Sequence, residues 1–374
     1  MQSSFKIGRI YGIDIGVHWS WLLIFVLLTW SFAVTFFDDE SATFRWIAGG
    51  VISLVFFGSV LIHELSHSIV AKRRGIGVSS ITLFVFGGVS NLERESESAR
   101  DEFWIAVVGP ASSVAIGVVF AAGWLALRGT AEEYANVLGY LGVINIAIAI
   151  FNMLPGFPLD GGRVLRSILW GVKDNLVEAT RTAARVGTLV AYGIMGLGVL
   201  SFFAGNIIGG IWFILIGWFL QNASEGSLQQ TLLDRALRGV TVGSIMQPDF
   251  DPVPEGITVR DLVEDHVLPH SRRAFPVVDG GRVIGLVTLS DVKEVPRERW
   301  DRTPVREIMT PADRLKVLRP GDDVRTALEI IQQHDINQIP VMEDGRVQGL
   351  VTRGDLIRAI QIRSEIGTVG GQGA

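Results

Sequence analysis

Five stretches without Asp, Glu, Lys or Arg read as membrane-spanning: residues 15–37, 46–62, 103–127, 134–159 and 186–224. A helix needs about 20 apolar residues to cross a hydrocarbon core of ~30 Å, so each of the first four runs predicts one membrane span. The fifth run has 39 residues. As one helix it would be about 58 Å long at ~1.5 Å per residue, roughly twice the core. Ala204-Gly205-Asn206 sits in its middle, which predicts two short spans joined by a tight turn. The expected count is six. The first run is longer than the apolar part of a signal peptide, lacks a small-residue cleavage site and precedes Asp38, Asp39 and Glu40. It reads as a retained span.

The charge is divided unevenly. Residues 1–222 hold 29 charged side chains and residues 223–374 hold 42. The first part predicts a membrane domain and the second a soluble one. Between them, 223–241 reads as a polar helical linker, and 362–374, with four Gly, reads as a frayed tail. Neither part has a basic excess (net −1 and −4), so there is no electrostatic case for a nucleic-acid partner. The chain has no Cys and six His. Any metal must therefore be held by imidazole and carboxylate.

With the N-terminus in the cytoplasm, the inner segments collect twelve Lys and Arg, among them Lys6, Arg9, Lys72, Arg73, Arg74, Arg163 and Arg166. The outer segments hold Arg45 and Arg128. That is a positive-inside bias. It predicts a multi-pass protein of the cell membrane, and an even number of spans returns the C-terminal half to the cytoplasm.

The second run ends in His63-Glu64-Leu65-Ser66-His67. Positions i and i+4 share a helical face, so both imidazoles can reach one metal ion. Glu64 projects close to that face and can act as a base on water held there. Ionisable groups in a membrane helix are expensive and usually functional; the plainer alternative is a polar helix end reaching for the interface. A catalytic zinc takes three protein ligands, so one is missing. Asn152-Met-Leu-Pro155-Gly-Phe-Pro158-Leu-Asp160-Gly161-Gly162-Arg163 closes the fourth run, on the same expected side of the membrane. Asp160 is thus the candidate third ligand, or else the cap of a following helix.

HELSH in one span followed by NMLPGFPLDGGR in a later one resembles the site-2 proteases, the zinc intramembrane metalloproteases, over residues 1 to about 222. The resemblance implies one Zn²⁺ per chain held by His63, His67 and Asp160. It makes Glu64 the general base and places Asn152 beside the reacting peptide, where its amide can donate to the developing oxyanion or else act as packing glue between helices. Asn145, seven residues before Asn152, shares its face and reads as packing glue between helices.

Residues 78–92, VSSITLFVFGGVSNL, are rich in β-branched and aromatic residues, with Gly87-Gly88 at the expected turn. A membrane-dipping hairpin here could offer an edge strand to unwound substrate, whose backbone lacks partners in lipid. His18 falls within the first run beside Trp19 and reads as an interfacial residue outside the zinc shell.

The soluble half repeats itself. Ile245-Met246-Gln-Pro248 returns as Ile308-Met309-Thr-Pro311, 63 residues on, and Gly285-Leu-Val-Thr288 returns as Gly349-Leu-Val-Thr352, 64 on. Each copy predicts a short strand, a helix (259–268; 323–334), a hairpin turning at Gly280-Gly281 or Asp344-Gly345, and a second helix. The pattern is similar to a tandem of cystathionine-β-synthase (CBS) domains, at 242–298 and 304–361. That resemblance implies an adenine nucleotide held by Thr288/Asp291 and Thr352/Asp355, although Thr-x-x-Asp is also a helix start.

The expected fold is a polytopic α-helical membrane protein of about six transmembrane helices with a small β-hairpin region, plus a soluble α/β tandem CBS module. The expected function is zinc-dependent intramembrane endopeptidase, cutting membrane-anchored protein substrates in the lipid bilayer. Resemblance suggests transcription-factor precursors, anti-sigma factors or signal-peptide remnants as substrates. The CBS pair would regulate access or sense nucleotide, and could pair two copies into a homodimer. The alternative is a CBS-gated channel or transporter, which would string polar residues along several spans; here they concentrate at the two motifs.

Overall fold

The computed structural model describes residues 5–369, apart from Phe86, Glu93, Glu95, Asp249, Ser271, Gly281 and Gly345. The second member of each expected turn pair in the soluble half, Gly281 and Gly345, thus lies outside the described residues, as does 370–374. The chain divides into two units, 1–231 and 232–374.

In the first unit six helices among the described residues are long and apolar enough to span a membrane. They are α1 (Trp19–Phe36), α2 (Ala42–Arg73), α3 (Ala99–Leu127), α4 (Glu132–Asn152), α6 (Leu176–Phe203) and α7 (Ile207–Leu237). The break between α6 and α7 falls at the predicted turn, with Gly205 at φ +93°. A short amphipathic helix, α5 (Asp160–Lys173), follows α4. Large apolar side chains such as Leu23, Val26, Val118 and Leu197 stay exposed, as lipid-facing positions must.

Several boundaries differ from the sequence reading. The first span begins at Trp19, because 13–17 is extended and His18 caps α1, its Nδ1 accepting from the Ser20 amide. The second run loses its apolar character at His63, yet α2 continues ten residues further to Arg73. The fourth helix stops at Asn152; Pro155 and Pro158 prevent its continuation.

Four strands form one sheet in the order β1 (Phe5–Ile10), β2 (Ile13–Val17), β3 (Val78–Phe84), β4 (Gly87–Leu92). β1 and β2 were not foreseen: β1 is exposed along its length and shows no buried alternation, and the apolar run from residue 15 masks the end of β2, where Ile13, Ile15 and Val17 are buried. Gly87 and Gly88 lie inside β4 and not at the turn, which precedes them. β2 pairs in parallel with β3, so β3 is interior and β4 is an edge. Ile13, Ile15, Val78 and Ile81 pack with Ala71 of α2 and Ile105 of α3, which holds the sheet against the end of α2.

The second unit contains two sheets: β5 (Val253–Pro254), β6 (Ala274–Asp279), β7 (Arg282–Thr288), β8 (Thr310–Pro311), and the hairpin β9 (Gln338–Glu343), β10 (Arg346–Thr352). The repeats exchange their opening segments. β8, from the second IMxP, pairs with β7 of the first repeat, and Gln247, from the first IMxP, bridges Leu350 of the second. Val305 is buried in the first repeat's core, and Leu237, Val240 and Val242 in the second's. The segment expected as a linker is accordingly shared out: Ser224 and Thr231 are buried in the first unit, Leu237 and Val240 in the second. The tail expected to fray is helical as far as Val369, in the helix Arg353–Val369.

Candidate metal centre

His63 and His67 sit on one face of α2, 5% and 6% exposed. Asp160 is the first residue of α5, where the N-cap position Leu159 offers no side-chain cap. Its carboxylate turns instead toward the imidazoles. His63 Nε2, His67 Nε2 and Asp160 Oδ2 stand at the corners of a triangle with all three sides 3.2 Å. Donors bound at 2.0–2.1 Å around a tetrahedral ion are spaced about 3.3–3.4 Å, so the triangle matches one face of such a tetrahedron.

The hydrogen bonds on the far side of each ring fit the same purpose. His67 Nδ1 donates to the Ile105 carbonyl at 2.5 Å. A carbonyl can only accept, so a proton is on Nδ1, which leaves Nε2 as the nitrogen that faces Asp160 and is available to a metal. His63 Nδ1 meets Ser113 Oγ at 2.9 Å. Both partners lie on α3, and between them Gly109 leaves room for the rings: a Cβ there would overlap His67 and come within 2.8 Å of His63 Nε2. Two imidazole nitrogens and a carboxylate oxygen converging on one point are a metal donor set, and these residues fit zinc.

Glu64 lies beside the triangle under β4. Ser90 Oγ donates to Glu64 Oε2 at 3.1 Å, and Ser68 Oγ of α2 donates to Ser90 Oγ at 3.2 Å. Gly88 lies against the Glu64 side chain, where a Cβ would overlap Cγ. The glycines of the DGG motif allow a similarly close approach; a Cβ on Gly161 would run into the Met153 carbonyl oxygen.

The structure thus brings His63, Glu64, His67 and Asp160 together. Asn152 is half-buried at the last turn of α4, with no hydrogen bond to the triangle among the described residues. Asn145 donates back to the Leu141 carbonyl of its own helix at 2.8 Å. His18 is engaged at the start of α1 with Ser20. Sequence reasoning missed Ser90, Ile105, Gly109 and Ser113. The Gly109-Pro110 pair and Ser112-Ser113 inside a membrane span are the only local hints of them.

In the second unit the Thr–Asp pairs are occupied with each other. Thr288 Oγ1 donates to Asp291 Oδ2 at 2.8 Å, and Thr352 Oγ1 to Asp355 Oδ2 at 2.6 Å. Each pair forms a helix-starting box. Asp355 Oδ1 also accepts from Gln247 Nε2 at 2.8 Å. A cavity of about 550 Å³ opens between the repeats, lined by Arg272, Arg273, Thr352 and Arg353 among others.

A buried imidazole pair on a membrane helix, a half-buried carboxylate at the start of the short helix α5 and a glutamate beside them define a zinc metalloendopeptidase of the site-2 protease type. The family model described as Peptidase family M50 matches residues 51–134 and 128–194, and that of the CBS domain matches 242–298 and 305–362. The protein provisionally named zinc metalloprotease Rip3 of Mycobacterium tuberculosis is 35% identical, over 97% of this chain and 94% of its own length. A second, provisionally named zinc metalloprotease sll0528 of Synechocystis, is 32% identical over 96% of each. The solved site-2 protease from Methanocaldococcus jannaschii is 30% identical, over 60% of this chain and 94% of its own, with a TM-score of 0.45. The chain belongs to peptidase family M50 and carries a tandem CBS pair.

Proposed function

We propose that this chain hydrolyses a peptide bond in or near the membrane span of an anchored protein, with zinc held by His63, His67 and Asp160. The convergence of Nε2, Nε2 and Oδ2 at 3.2 Å is the observation that carries the reading. Zinc in that place would polarise the scissile carbonyl and acidify a water molecule. Glu64 Oε2 takes a proton from the attacking water and returns it to the leaving amine nitrogen. The Ser90 hydroxyl donates to that carboxylate and orients it. Asn152, half-buried with no partner among the described residues, serves as amide donor to the developing oxyanion.

Substrate reaches the site unwound and pairs with the free edge of β4, which supplies the backbone partners that lipid cannot. Since β3 is interior, the edge open to substrate is Gly87–Leu92, so a proline scan belongs there and not in the preceding strand. Loss of cleavage at the outward-facing amides is expected; unchanged cleavage throughout rejects pairing.

The N-terminus and the CBS pair face the cytoplasm, on the charge bias described above. The CBS pair takes an adenine nucleotide, its phosphates on the arginines of the cavity, and through it regulates cleavage; pairing of these modules joins two copies. Reconstitution in detergent with a single-span substrate tests the enzyme. Wild type should cleave, while Glu64→Gln and chelator-treated protein should not, and Glu64→Gln should keep its zinc. Equal cleavage by all three rejects the proposal. Calorimetry of the full chain with ATP, ADP and AMP tests the module, and no heat from any of them rejects nucleotide sensing.

A further inference from the structure

Glu102 is the most deeply buried carboxylate among the described residues, 1% exposed, and nothing in the hydrolytic chemistry uses it. We infer that Glu102, through its pair with Arg166, is a positioning residue for Asp160, so that one face of α3 fixes the place of all three zinc donors. The inference rests on reading His63, His67 and Asp160 as a zinc site.

Glu102, Ile105, Gly109 and Ser113 are spaced by three, four and four residues, which puts them on one helical face. The last three meet the imidazoles, as described above. Glu102 does the corresponding work for the third donor. Its Oε1 accepts from Arg166 Nε at 2.7 Å and again from Arg166 Nη2, with Arg163 Nε at 3.8 Å. Arg163 and Arg166 follow Asp160 by three and six residues on α5. The Arg166 guanidinium also lies over the Phe157 ring, 5.0 Å from its centroid, three residues before Asp160. The pair therefore grips the chain on both sides of the aspartate.

Local structure alone does not aim Asp160. It begins a helix whose N-cap makes no side-chain hydrogen bond, after a segment, 153–159, interrupted by two prolines. A buried ion pair is weak evidence for stability, since apolar residues of similar volume often serve as well. What such a pair does supply is a defined geometry: a charged fork cannot slide along α3 without leaving a charge unpaired in a dry interior.

The test measures zinc affinity of the full chain in detergent by competition with a chromophoric chelator. Glu102→Leu with Arg166→Met removes both charges at similar volume. This double variant should keep its helicity yet bind zinc about 10–100-fold more weakly, the usual cost of losing a ligand's support. In an Asp160→Asn background the same two changes should cost nothing further, because the pair acts through Asp160. Unchanged affinity in the folded double variant, or a loss that adds fully to that of Asp160→Asn, overturns the inference. Should the double variant fail to fold, Arg166→Lys keeps the charge and loses the two-nitrogen grip. A weakening of about tenfold supports the inference and unchanged affinity overturns it. Wild-type protein without zinc affinity would sink the site reading itself.

Discussion

Gly109 matters at the proposed metal centre for the side chain it lacks. Two imidazole rings occupy the space a methyl group would need, and they cannot retreat because Ile105 and Ser113 hold them from behind. Gly109→Ala is therefore expected to lower zinc content well below one per chain while leaving the helices formed; elemental analysis of purified protein checks it, and full zinc would refute the clearance argument. At this scale the sequence was legible where the chemistry is local. His63, Glu64 and His67 are readable because a helix fixes the i, i+4 geometry in advance. Asp160 needed the proline and glycine pattern around it as well as the resemblance. Ser90, Gly109 and Ser113 are ordinary residues whose roles come from the approach of α3 and β4, and no local pattern announces that. Arg166 misled in another way: counted among the inner-side cations, it is buried on Glu102 and contributes nothing to the surface.

At the scale of elements, hydropathy located the spans well and their ends poorly. Charge ends an apolar run, but it does not end a helix, and α2 continues through its charged site to Arg73 because intrahelical hydrogen bonds do not depend on the side chain's polarity. The opposite error occurred at 15–17, where the start of an apolar run hid the end of the strand Ile13–Val17. Soluble elements can be tested one by one. Asp323 caps the helix Val324–His334, its carboxylate accepting from the Arg325 amide at 2.8 Å. Asp323→Ala should cost about 1 kcal/mol, seen as an earlier unfolding transition of the soluble unit in urea. The Arg325 guanidinium beside Asp323 holds its carboxyl below the usual carboxylate range. The group's contribution is therefore present above about pH 4, the value in an unfolded chain, and fades as the pH falls from there toward the lower folded value. A wild-type advantage over Asp323→Ala that persists unchanged to the lowest accessible pH would contradict this.

For the whole molecule, the charge bias gives an orientation that the chain's lack of cysteine makes easy to measure. A single cysteine at Thr130, between α3 and α4, should react with a membrane-impermeant maleimide in intact cells. One at Val317, exposed in the second unit, should react only after lysis. The reverse pattern would invert the proposed topology. Both units were visible in the sequence, as a run of spans and as a repeat. What the repeat concealed was its bookkeeping of residues: the period of the sequence and the unit of packing are out of step.

That mismatch bears on what happens when the module is cut. Each repeat is completed by the other's opening segment, with β8 on β7, Gln247 on Leu350 and Val305 inside the first core. A chain ending near residue 300 would keep β7 but lose the strand that covers it, and an open strand edge seeks a partner. Such a fragment should not persist as a folded monomer. Mixed with its complement, residues 301–374, it should recover the paired form, each half donating an arm to a molecule it was never joined to. The unit of packing in this module is therefore the pair of repeats and not the single copy.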